Sequence, residues 1–136
     1  MKSKYLMVSS IILLTITTLT YSHTMGWIAP DNVKATKNPI QSDTASIERG
    51  AKTYKEKCVI CHGEKGDGKG AVGANLTVKP SNFTDKEMMG SMTDGEISWK
   101  ISTGKGPMPS WKDKLKESEI WDMVNYIRKF SVPEKK

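Results

Sequence analysis

Both cysteines of this 136-residue chain stand in one short run, Cys58-Val59-Ile60-Cys61-His62. Two thiols at that spacing can add to the two vinyl groups along one edge of a porphyrin. The adjacent histidine can then swing beneath the ring and bind iron. C-x-x-C-H therefore reads as the covalent attachment of a c-type haem. The bland alternative is a thiol–disulfide couple, the default fate of two cysteines in an oxidising compartment. That alternative calls for a strand–helix–strand setting. The residues before Cys58 are instead helical in pattern, and nothing nearby alternates with period two.

An iron held by His62 has a sixth position, either filled for electron transfer or open for chemistry on a small molecule. Methionine opposite histidine is the electron-transfer arrangement and raises the reduction potential. Its soft thioether favours reduced iron, and a filled sphere keeps out oxygen and peroxide. The methionines after the motif are Met88, Met89, Met92, Met108 and Met123. Met123 falls on the apolar face of the last helix, where core packing explains it. Met88, Met89 and Met92 lie in a polar, glycine-bearing stretch and are candidates to cap a haem edge. Met108 sits between Pro107 and Pro109, and a restricted backbone loses less entropy in holding a weak ligand. Met108 is thus the expected distal ligand. The only other histidine, His23, falls at the end of an expected leader and is a poor competitor.

No catalytic constellation accompanies this pair, so the chain is not expected to be an enzyme. The carboxylates read as spread along solvent faces. Lys65, Lys69, Lys79, Lys105, Lys112 and Lys114 come from segments near the two iron ligands. They either ring an exposed haem edge and attract an acidic redox partner, or form a plain solvated surface; such charges act mainly on the association rate. The lysines are scattered and make no basic stripe, so nucleic acid is not an expected partner.

The length allows one domain with extras. Lys2 and Lys4 precede an uncharged run from Tyr5 to Tyr21, the layout of an export signal over residues 1–22 with a weak cleavage site at Thr20-Tyr21-Ser22. Left uncleaved, the same run would tether the protein to the membrane. Removing it lowers the formal charge of +6 to about +4. Residues 23–43 read as a tether or an extended strap, with Trp27, Ile28 and Ile40 as its apolar anchors. The domain proper is 44–136 and all-α. Its first helix runs from Thr44 to Cys58, capped by Thr44 or Ser46, with Ile47, Gly50, Ala51, Tyr54 and Cys58 on one face. Gly50 on that face lets another helix come close. The glycines from Gly63 to Gly73 supply tight turns and let the backbone pass near a flat cofactor. A short helical turn is expected around Asp85 to Met89. Thr93-Asp94-Gly95-Glu96 is a capping box opening a helix that Gly104 ends. The last helix runs from Lys116 or Glu117 to Phe130, with Ile120, Met123, Val124 and Ile127 at helical spacing.

With those residues in view, the chain from about Thr44 to Phe130 resembles class I mono-haem cytochromes c, in particular bacterial cytochrome c553-type domains. The resemblance rests on Gly50 and Tyr54 leading into Cys58–His62, on Gly66-Asp67-Gly68, on the Thr93–Glu96 helix start, on Met108-Pro109 and on the run from Trp121 to Arg128. It implies three to four helices wrapped around one covalently bound haem, with Gly50 and Tyr54 packed on Met123 and Tyr126. It implies that Cys58 and Cys61 hold the haem while His62 and Met108 bind iron. Many members have a proline whose carbonyl accepts the proton on the second nitrogen of the axial histidine. The nearest counterpart by spacing here is Ala74, with Pro80 further on, so the acceptor stays open. The function implied is one-electron transfer between redox partners in the periplasm. The alternatives are a haem c subunit of a larger membrane-bound or periplasmic oxidoreductase and a ligand-binding or peroxidase-like haem protein.

Overall fold

The computed structural model describes residues 26–132; the expected leader, His23 and the tail from Pro133 lie outside them. The described chain is helical, with no strand beyond an isolated bridge between Lys105 and Met108. Four helices have six or more residues: α2 (Thr44–Lys57), α4 (Lys86–Ser91), α5 (Asp94–Thr103) and α6 (Glu117–Arg128). Two more, α1 (Asp31–Lys34) and α3 (Val59–His62), are single turns.

α2 starts one residue earlier than a cap at Thr44 or Ser46 would allow. The Asp43 carboxylate accepts the Ser46 amide proton at 2.8 Å, satisfying one of the amides a helix start leaves unpaired. Thr44 and Ser46 are already inside the helix, and the Ser46 hydroxyl is used elsewhere. The buried face of α2 is Ser46, Gly50 and Tyr54. It packs on α6, where Met123 and Val124 have no exposed surface. Burial of each contributes on the order of 1.5–3 kcal/mol. A Cβ at Gly50 would overlap the Asp122 carbonyl and the Cβ of Tyr126. The mid-helix glycine, which costs about 1 kcal/mol of helix propensity, is therefore what lets the two backbones meet. Tyr54 stands with its ring 5.2 Å from that of Tyr126.

The carboxylates do not all lie on solvent faces. Asp122 is buried, and it receives the Ser46 hydroxyl at 2.6 Å and a two-pronged Arg49 guanidinium at 2.7 and 2.9 Å. Burial pushes the Asp122 carboxyl up, but these hydrogen bonds and the Arg49 charge bring it below the usual value. Asn125, also buried, donates to Ser46 Oγ at 2.8 Å and accepts from Asn38 at 2.8 Å. Buried polar groups must be partnered in this way, and here the partnering ties residues 38–43 to both long helices.

α5 begins as expected, with the Thr93 hydroxyl accepting the Glu96 amide at 3.1 Å. The reciprocal half of that box is replaced by an ion pair, since the Glu96 carboxylate meets Lys100 at 2.9 Å. Arg128 at the end of α6 donates to the carbonyls of Met89 and Met92 and to Asp94 Oδ1. One side chain thus caps the end of α4 and fixes the junction into α5.

Candidate haem site

α2 ends against the turn that carries the two cysteines. Cys58 precedes α3 and His62 ends it; the Cys61 and His62 amides pair back to the Cys58 carbonyl and the Gly63 amide to that of Val59. The buried Tyr54 hydroxyl donates to the Gly63 carbonyl at 2.8 Å, fixing the residue after His62. At Gly70 and Gly73 a side chain would overlap the carbonyls of Val59, Ile60 and Cys61. These two glycines therefore serve a loop that wraps the backbone of α3.

His62 is buried, and its ring stacks on Phe83 with centroids 4.6 Å apart and planes at 15°. Its Nδ1 lies 3.4 Å from the Ser81 carbonyl. A proton held there leaves the Nε2 lone pair for a metal, which is how an outer contact orients a histidine ligand. The acceptor is thus the residue after Pro80; the Ala74 carbonyl is engaged instead by Lys79 at 2.7 Å. Burial lowers the basicity of His62, and the Ser81 contact opposes that only in part. The imidazole is accordingly kept neutral, the form that ligates. Neither Phe83 nor Ser81 stood out in the sequence. The one available signal was an aromatic residue, one of only two phenylalanines, set between Asn82 and Thr84.

Met108 is presented by a loop rather than a helix. Lys105 and Met108 exchange both backbone hydrogen bonds, at 3.1 and 3.2 Å, around Gly106 and Pro107. Beyond them Ser110 Oγ donates to the Ser102 carbonyl at 2.6 Å, and the Trp111 amide reaches back to the end of α5. Cys58, Cys61, His62 and Met108 line a single cavity of about 350 Å³, with Leu76, Pro80 and Trp111 among its apolar walls and no carboxylate. None of the other methionines after the motif lines this cavity. Met89 is buried in the core rather than free to cap an edge, Met88 packs against the core, and Met123 lies with its sulfur 4.0 Å from Cys58 Sγ. Met92 lines a smaller neighbouring cavity together with His62 and Met108.

This donor set fits an iron porphyrin. It offers one imidazole nitrogen, one thioether sulfur and two thiols on an apolar slot, the chemistry of a c-type haem. A thiol–disulfide couple fits poorly. Such a couple calls for a strand–helix–strand setting, and the described residues around the motif are helical.

The profile of the family described as cytochrome c oxidase, cbb3-type, subunit III matches residues 45–127, more than half of the chain. The cytochrome c6 of Cladophora glomerata is 32% identical over 85 residues, covering 62% of this chain and 89% of that protein. This chain belongs to the class I mono-haem cytochromes c. Its cofactor is haem c. The cytochrome is also 35% identical over 80 residues to the cbb3-type cytochrome c oxidase subunit FixP of Bradyrhizobium diazoefficiens, covering 58% of this chain but only 26% of that subunit. Among solved structures, a chain of the Kuenenia stuttgartiensis reducing HAO-like protein complex superposes with a TM-score of 0.61 at 28% identity. That match covers 68% of the cytochrome and 46% of the other chain. The cytochrome therefore spans most of one relative's length and less than half of the other two.

Proposed function

We propose that this cytochrome is an exported one-electron carrier rather than an enzyme, with Cys58 and Cys61 holding the haem through thioether bonds and His62 and Met108 as its axial ligands. The observation that carries the reading is the gathering of all four side chains on one apolar cavity. The bound haem supplies an iron that cycles between ferrous and ferric states. The chain's own residues do the rest. Ser81 holds the His62 proton at Nδ1, Phe83 fixes the ring by stacking, and the Lys105–Met108 hairpin holds the sulfur in place. A sulfur supplied from this hairpin would close the iron to small ligands, which suits a carrier and not a peroxidase-like protein.

Residues 1–22 act in this reading as the export leader, 23–43 as a strap and 44–136 as the cytochrome domain, placed in the periplasm. Among the described residues no helix is long and apolar enough to cross a membrane. Partners in this reading are proteins with acidic docking surfaces, met by Lys79 and Lys105, which line the cavity. Carbon monoxide tests the reading: the untreated reduced holoprotein should leave CO unbound, and tight CO binding would point to an open distal site. A second reading, a haem c subunit of a larger oxidoreductase, is supported by the family profile and by the FixP match. Stoichiometric co-purification with a larger protein from native membranes would favour that reading.

A further inference from the structure

We infer that Trp27 is a wall of the haem cavity, held there by residues 26–43 acting as a strap, and that it protects the Met108 side from competing ligands. The inference rests on the haem reading above. It goes beyond the family, whose profile begins at residue 45. Trp27 lines both the large cavity and the smaller one shared by His62, Met92 and Met108.

Three separate anchors hold it. At the first, the Trp27 ring lies 6.4 Å from Trp99, its Nε1 donates to Thr103 Oγ1 at 3.4 Å, and the Lys100 ammonium sits 5.8 Å above it. Lys100 is itself fixed by Glu96 at 2.9 Å, so the cation–π contact needs little further ordering. Next, α1 packs on α5: a Cβ at Gly95 would overlap the Val33 carbonyl and press on that of Thr36, so the strap backbone runs directly over this glycine. At the third, Asn38 bonds to Asn125 Oδ1 at 2.8 Å and to the Trp121 carbonyl at 3.3 Å. Between the first two anchors Ala29 is buried to 1% exposure. A loose tether would leave Ala29 exposed and make none of these contacts.

The chemical consequence follows from position. A large apolar ring lining both cavities that Met108 lines takes up room that water and small nucleophiles would otherwise occupy beside the weak thioether ligand. Trp27 is therefore a positioning residue acting through Met108. Its loss should raise the population of the opened cavity, and apparent affinity for an added ligand scales with that population.

The test is a titration of the oxidised holoprotein with imidazole, followed by the visible spectrum. We expect Trp27→Ala to bind imidazole about tenfold more tightly than wild type, and Gly95→Ala, which lifts the strap without touching either cavity, to move in the same direction. Trp27→Phe should return close to wild type. Ile120→Val, a core truncation lining neither cavity, should lower the melting temperature and leave imidazole affinity unchanged. Equal affinity in Trp27→Ala and wild type, with haem attached in both, overturns the role of the strap, as does an equal gain in Ile120→Val. A wild-type protein whose mass shows no attached haem overturns the underlying reading instead.

Discussion

His62 depends on neighbours that are themselves fixed by single contacts. Tyr54 is the clearest case. Burial pushes its hydroxyl well above the usual tyrosine range, so it stays a neutral donor to the Gly63 carbonyl. Tyr54→Phe leaves that carbonyl without its partner, and a buried group so orphaned costs about 1–3 kcal/mol. Urea unfolding of the holoprotein should show a loss of stability of that size, read as a lower midpoint with an unchanged slope. The two kinds of site residue differed in how far the sequence revealed them. Cysteine, histidine and a methionine between two prolines are distinctive by type and spacing. The Ser81 contact is a backbone carbonyl, and any residue carries one; only the path of the loop decides which carbonyl meets Nδ1.

Helix pairing between α2 and α6 is the main structural joint of the domain. Gly50→Ala would gain about 1 kcal/mol of helix propensity. Against it stands an overlap with the Asp122 carbonyl, a backbone atom that cannot swing aside. Overpacking of this kind costs about 1–3 kcal/mol, occasionally more, so the variant should be less stable than wild type by thermal melting. The same joint carries a pH dependence. Asp122 has a folded-state pKa below its ordinary value of 3.8, because Arg49 and Ser46 outweigh the cost of its burial. Its contribution is complete above that ordinary value and drains away as pH falls through the depressed one. Asp122→Asn should therefore lower stability near neutrality and flatten the acid limb of a stability–pH profile; an unchanged acid limb would count against the pairing. Periodicity placed these helices well, because apolar residues at three- and four-residue steps mark a buried face. It missed Asp122 and Asn125, whose type suggests solvent. Their burial follows from partners more than seventy residues away, Ser46 and Arg49, which no local pattern contains.

At the scale of the molecule, the domain places two thiols, an imidazole and a thioether around one slot, and a strap from outside the family-matched region lies along its edge. The polar stretch between Leu76 and Thr93 was the least legible part of the sequence. It lacks periodicity because it is a wrapping loop with one short helix, and its key residue, Phe83, packs on His62. If the lysines that line the cavity steer an acidic partner, as proposed, association should slow as salt rises. All of this serves a carrier only if the iron is closed by sulfur. The most direct measurement is the sulfur-to-iron charge-transfer band at the red end of the visible spectrum of the oxidised holoprotein. We expect the band in wild type, in Met88→Leu and in Met92→Leu, and its loss in Met108→Leu together with a lower reduction potential. Retention of the band in Met108→Leu, with its loss in Met92→Leu, would contradict the account.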